Sequence, residues 1–152
     1  MIRSIITAIL VLTVGLASAQ MNTAPTVKVT FPKDAKAGSQ VKGTVEVTFS
    51  DGLHGYQNPP SEEFQIPVTV VVDTKGYKLK VTYPKGAMKV IGGDTKPAAV
   101  YEGTIKIPVT LTVPKSGAAG EVKITVKYQQ CNDQACFPPD GVSSTVKIHV
   151  KK

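Results

Sequence analysis

Glu121-Val122-Lys123-Ile124-Thr125-Val126-Lys127-Tyr128 alternates charged or polar residues with apolar ones along its whole length, and each apolar position is β-branched or aromatic. A period of two puts Val122, Ile124, Val126 and Tyr128 on one face of a strand and the lysines on the other. The same alternation returns in Thr26-Val27-Lys28-Val29-Thr30-Phe31, Val45-Glu46-Val47-Thr48-Phe49, Tyr77-Lys78-Leu79-Lys80-Val81-Thr82-Tyr83 and Thr145-Val146-Lys147-Ile148-His149-Val150. Residues 68–72 are more continuously apolar, and residues 100–113 alternate again, with Pro67 and Pro108 marking strand starts, bulges or edges. Gly, Pro and Asp turns such as Lys33-Asp34-Ala35-Lys36-Ala37-Gly38 and Pro114-Lys115-Ser116-Gly117 separate these runs into seven or eight expected strands. No helical period stands out after the N-terminal segment. The expected class is all-β, an immunoglobulin-like antiparallel β-sandwich, with a small barrel as the alternative.

The N-terminus bears on the compartment. Arg3 gives a short positive start, residues 5–16 are an apolar run too short to span a bilayer, and Ala17-Ser18-Ala19 has the small-x-small form of a cleavage site. Residues 1–19 therefore read as a secretory signal peptide cut before Gln20, leaving residues 20–152 as one β-sandwich domain with no stable membrane insertion. The expected location is periplasmic or secreted.

The 152 residues carry a formal charge of +7, which raises the question of nucleic acid. The lysines argue against it. Lys28, Lys42, Lys78, Lys80, Lys106, Lys123, Lys127 and Lys147 are dispersed and alternate with apolar residues, as on the wet face of strands. A nucleic-acid footprint clusters its cations and interleaves aromatics, whereas this chain has no Trp. The final strand's Lys147, with Lys151 and Lys152, discourages edge pairing.

Chemistry is concentrated in Tyr128-Gln129-Gln130-Cys131-Asn132-Asp133-Gln134-Ala135-Cys136-Phe137-Pro138-Pro139, which holds the only two cysteines. An exported pair oxidises, whereas a cytosolic one stays reduced or binds metal. Both lie between the strand ending near Tyr128 and the last strand, so they cannot form the inter-sheet bridge of antibody domains; they belong to a hairpin. Three readings stay open from the residues. Redox exchange leads, because closing so small a ring stabilises by only about 2 kcal/mol, against about 4.7 for a loop of 100 residues. A structural staple is second. Metal binding is weakest, since two thiolates need further ligands and the only histidines are His54 and His149, the latter an ordinary strand residue. No cofactor is implied.

The run Tyr128-Gln129-Gln130-Cys131, with Cys136-Phe137-Pro138-Pro139-Asp140, resembles the N-terminal periplasmic domain of the membrane thiol reductase DsbD. Two weaker likenesses support it: Asp51-Gly52-Leu53-His54-Gly55-Tyr56, and Val100-Tyr101-Glu102-Gly103-Thr104-Ile105-Lys106-Ile107-Pro108-Val109. The resemblance spans most of the mature chain. It implies an immunoglobulin-like fold and a domain that passes reducing equivalents from a thioredoxin-like or membrane thiol-reductase donor to oxidised extracytoplasmic thiol proteins. It further implies that Cys136 makes the mixed disulfide with partners and Cys131 resolves it. Tyr56, Tyr128, Phe137, Pro138 and Pro139 take supporting or partner-binding places. Asp133 and Asp140, as negative neighbours, are expected to raise the thiol pKa values or else to serve as turn residues.

Two departures bear on this reading. Four residues separate the cysteines where some relatives have one more. The stretch corresponding to the family's cap loop, Val90-Ile91-Gly92-Gly93-Asp94-Thr95-Lys96-Pro97, has no aromatic, which leaves Tyr56 or Phe137 to cover the sulfurs. His54 stands where the family can have tyrosine and receives no acid or base assignment. The chain lacks the membrane region and thioredoxin-like domain that follow in the full reductase, so the expectation is a free-standing domain supplied with electrons by another protein. A competing expectation is a secreted protein-binding module whose disulfide only shapes one loop.

Overall fold

The computed structural model describes residues 24–91 and 95–152, and every regular element within them is a strand. The expected signal peptide lies outside the described residues. In chain order the strands are β1 (Thr26–Thr30), β2 (Asp34–Lys36), β3 (Gln40–Thr48), β4 (His54–Tyr56), β5 (Thr69–Val72), β6 (Lys78–Val81) and β7 (Ala87–Lys89). They continue with β8 (Ala98–Glu102), β9 (Thr104–Thr112), β10 (Glu121–Tyr128), β11 (Gln130–Cys131), β12 (Asp140–Lys147) and β13 (His149–Lys151). No helix among the described residues is long and apolar enough to cross a membrane.

β10 has the bounds its alternation predicts. Val122, Ile124 and Val126 are fully buried, Tyr128 nearly so, and Glu121, Lys123 and Lys127 are exposed. It lies between β12 and β5 in an antiparallel sheet. A second antiparallel sheet, ordered β1-β3-β9-β6, turns Val45 and Val47 of β3 and Ile107, Val109 and Leu111 of β9 into the same core. Two open sheets sharing one apolar interior make the immunoglobulin-like sandwich, not a closed barrel.

The strands outnumber the seven or eight expected because alternation records burial and not hydrogen-bond partners. Residues 100–113 read as one run, yet the chain breaks at Gly103, where φ is +57°, and passes from β8 in one sheet to β9 in another. The last run divides likewise. Ile148 donates its N–H to the Gly120 carbonyl at 2.9 Å, and β13 then leaves to pair in parallel with β2.

A third sheet, ordered β11-β4-β8-β7, carries Cys131, which is bridged to Cys136. Gly55 and Tyr101 are register partners on its inward face, and the Tyr101 ring joins the main core. Residues of opposite parity, His54 and Tyr56 on β4, Val100 and Glu102 on β8 and Cys131 on β11, share the other face. Glycine at 55 permits this close approach: a Cβ there would lie 2.8 Å from Phe49 Cζ and 3.0 Å from a Val68 methyl. Gly55→Ala is expected to destabilise the domain by about 1–3 kcal/mol, as overpacked sites do, read as a lower urea midpoint. An unchanged midpoint would show that β4 has slack.

Candidate functional site

The site is built on a short antiparallel pairing in which Gln130 faces Gly55 and Cys131 faces His54. Cys131 is bridged to Cys136 with S–S 2.00 Å and Cα–Cα 4.0 Å, and the two form an antiparallel bridge. Asn132 organises the loop between them. Its backbone N–H donates to the Ala135 carbonyl at 2.9 Å, and its Oδ1 accepts the N–H groups of Gln134 and Ala135, each at 2.8 Å. An Asn side chain standing in for backbone is what tight turns select. Beyond the bridge, Phe137 N–H donates to the Gln130 carbonyl at 2.8 Å, and Gln129 Nε2 donates to the Phe137 carbonyl at 3.1 Å. Pro138 and Pro139 then lead, exposed and without N–H donors, into β12.

The two sulfurs have unlike surroundings. Cys131 is fully buried, in a small apolar cluster with Tyr56, Ile91, Ala98 and Val100, whereas Cys136 is exposed. The Tyr56 hydroxyl lies 3.8 Å from Cys136 Sγ; a disulfide sulfur carries no hydrogen, so the hydroxyl is the donor. The cap stretch packs beside Tyr56 in this cluster. Ile91, which that stretch contributes, is buried against Cys131 in place of an aromatic ring, while Gly92, Gly93 and Asp94 lie outside the described residues. Met88 and Val90, either side of Lys89, stand exposed.

Charge enters through Lys89. Its Nζ lies 2.6 Å from Glu102 Oε1 and 3.0 Å from Asp133 Oδ1, tying β7, β8 and the inter-cysteine loop together. Hydrogen bonding to Glu102, then to Asp133, raises the lysine above its ordinary pKa. Lys89 thus compensates the Asp133 carboxylate within the inter-cysteine loop. Asp140 opens β12, and its Oδ1 accepts the Gly141 N–H at 2.7 Å, a turn role.

His54 lies beside this network. It is fully buried and stands edge-on to the Tyr56 ring, with centroids 6.3 Å apart. Neither imidazole nitrogen has a hydrogen-bond partner among the described residues. Burial, followed by the Lys89 charge, holds its pKa below the usual histidine value, against the smaller opposite pull of Glu102 and Asp133. The sign for stability follows from linkage. Unfolded His54 takes up a proton near the ordinary histidine value of about 6.5 while folded His54 does so only at lower pH, so stability present above that value is lost as pH falls below it. The slope from this group reaches at most about 1.4 kcal/mol per pH unit. Urea titrations at neutral and mildly acidic pH are expected to show that loss, and His54→Gln to flatten it. A slope untouched by the substitution would place the acid sensitivity elsewhere.

The fold thus brings Cys131, Cys136 and Tyr56 together, with Phe137 on the flank and Pro138 and Pro139 at the exit. Tyr128 is 3% exposed and packs in the main core, so it anchors the hairpin from beneath. His149 lies exposed on β13, away from the cysteines. Sequence reasoning passed over Ile91, Lys89 and Glu102, and gave Asn132 and His54 no role. Asn132 was readable as a turn residue; nothing local links Lys89 to a glutamate thirteen residues on.

An immunoglobulin-like domain with a hairpin disulfide between one buried and one exposed cysteine is the class defined so far. The family model for the N-terminal region of the thiol:disulfide interchange protein DsbD matches residues 21–148, and the chain belongs to that family. Thiol:disulfide exchange is thus its chemistry at family level. Among solved structures it is similar to the N-terminal periplasmic domain of ScsB from Proteus mirabilis, with a TM-score of 0.64 and 16% identity over 84% of this chain and 47% of that one. The chain spans about half the length of that relative, and the likeness is one of fold. The reduced N-terminal domain of Neisseria meningitidis DsbD also matches, with a TM-score of 0.46 and 18% identity over 81% of this chain and 85% of that one. No curated protein matches the chain.

Proposed function

We propose that this chain is an extracytoplasmic exchange domain that passes reducing equivalents between a thioredoxin-like or membrane thiol-reductase donor and oxidised envelope proteins through Cys131 and Cys136. The observation that carries this reading is the asymmetry of the bridge, with Cys136 exposed and Cys131 fully buried. A donor thiolate reaches only the outer sulfur. Its attack on Cys136 Sγ forms a mixed disulfide and breaks the Cys131–Cys136 bond, whose electron pair leaves on Cys131. A second donor thiol then releases Cys136, so the protein gains two thiols and the donor gains a disulfide. Toward an oxidised partner the sequence reverses, with Cys136 attacking and Cys131 resolving.

Tyr56, donating toward Cys136, and the stiff Phe137-Pro138-Pro139 segment form the surface against which a partner's active-site edge would lie. Residues 1–19 are read as the export signal, and residues 20–152 as the mature domain, acting in the periplasm or beyond. The test is to mix the oxidised, folded protein with reduced thioredoxin and count free thiols with time. Two new thiols per molecule, appearing well before those produced by glutathione at equal thiol concentration, are expected. A bridge that opens only after denaturation would make it a loop staple and favour the binding-module reading.

A further inference from the structure

The resolving half of the cycle poses a problem that the exposed half does not. Cys136 can lose its proton to water, but Cys131 is fully buried among Tyr56, Ile91, Ala98 and Val100, where an apolar setting favours the thiol over the nucleophilic thiolate. The groups facing it are few. Glu102 and Asp133 are both engaged by Lys89, and the Tyr56 hydroxyl is directed at Cys136. His54 remains. It is the direct cross-strand partner of Cys131, so the two Cβ atoms lie about 5 Å apart on one face of the sheet. Both its nitrogens are buried without partners among the described residues, a cost that an apolar residue of similar size would avoid.

We infer that His54 is the general base that deprotonates Cys131 when a mixed disulfide on Cys136 is resolved; the inference rests on the exchange function proposed above. An imidazole nitrogen takes the proton from Cys131 Sγ, and the sulfur's lone pair forms the new bond to Cys136 Sγ. The bond from Cys136 to the partner sulfur breaks, and its electron pair leaves on the partner, which the imidazolium then protonates. Two protein thiols are oxidised to a disulfide and the partner's disulfide is reduced to two thiols. The buried, lysine-facing setting keeps the imidazole neutral, the form a base requires.

The probe is glutathione disulfide added to the fully reduced protein, with the adduct on Cys136 quenched by acid and followed by mass spectrometry. In the wild-type protein, loss of both thiols to the probe tests the exchange reading by itself; thiols left intact would overturn both it and this inference. Given the adduct, His54→Gln is expected to lengthen its lifetime by about 10²-fold, in the range a general base contributes. Equal lifetimes in the two proteins would overturn the role of His54 and leave exchange standing. The wild-type pH profile needs no variant. Resolution should rise with pH and level off where His54 loses its proton, below the ordinary histidine range; a rate climbing tenfold per pH unit toward about 8.5 would mean that Cys131 ionises unaided.

Discussion

Cys136→Ser is expected to eliminate every mixed disulfide between this protein and a thioredoxin-like partner, whereas Cys131→Ser should accumulate one. With Cys131 fully buried beneath the third sheet's apolar cluster, an incoming thiolate has no line of attack on it. Cys136, on the limb after the Asn132 turn, is an exposed residue. Removing the inner thiol takes away the intramolecular competitor, whose effective concentration is on the order of mM for short flexible tethers and rises as the geometry is fixed. The trapped species should then persist until an external thiol arrives. Non-reducing gels and peptide mapping read both variants. Partner adducts that survive in Cys136→Ser through Cys131 would reverse the assignment of the two sulfurs.

The second large effect concerns what holds the domain together. Leu111 is fully buried at the centre of the sandwich, on a strand hydrogen-bonded on both sides, with Val41 and Leu79 as its register partners. Leu111→Ala is expected to cost about 2–5 kcal/mol, the range for core leucine truncations. Opening the disulfide should cost less, since closing a ring of this size contributes about 2 kcal/mol before any strain is counted. Urea denaturation of the variant and of the reduced wild type compares the two directly. That order matters for function, because an exchange domain must stay folded in both redox forms. A reduced wild type less stable than oxidised Leu111→Ala would return the bridge to a structural role.

The sandwich was legible because its strands alternate with β-branched residues inward and lysines outward, so one period reports both element and face. The places where the chain changes sheets were not. At Gly103 and Ile148 the chain changes sheets without interrupting alternation, and two expected runs each became two strands. At the site, the cysteine spacing and its Pro-Pro flank located the hairpin, and Tyr56 lies with its hydroxyl 3.8 Å from Cys136 Sγ. The burial difference between Cys131 and Cys136 was beyond reach, since it depends on Ile91 arriving from another hairpin. His54 and Lys89 were hidden for the same reason. Their meaning lies in the register that sets His54 opposite Cys131 and in a lysine reaching across to both Glu102 and Asp133.

The central claim is that this bridge exists to be opened. Its most direct test is the equilibrium reduction potential of the Cys131–Cys136 pair, titrated against a thioredoxin-type couple while circular dichroism follows the sheets. Exchange predicts a potential above about −300 mV, within reach of donors near −270 mV, with the β signal unchanged on reduction. A potential well below that limit, or a sheet signal lost as the bridge opens, would contradict it.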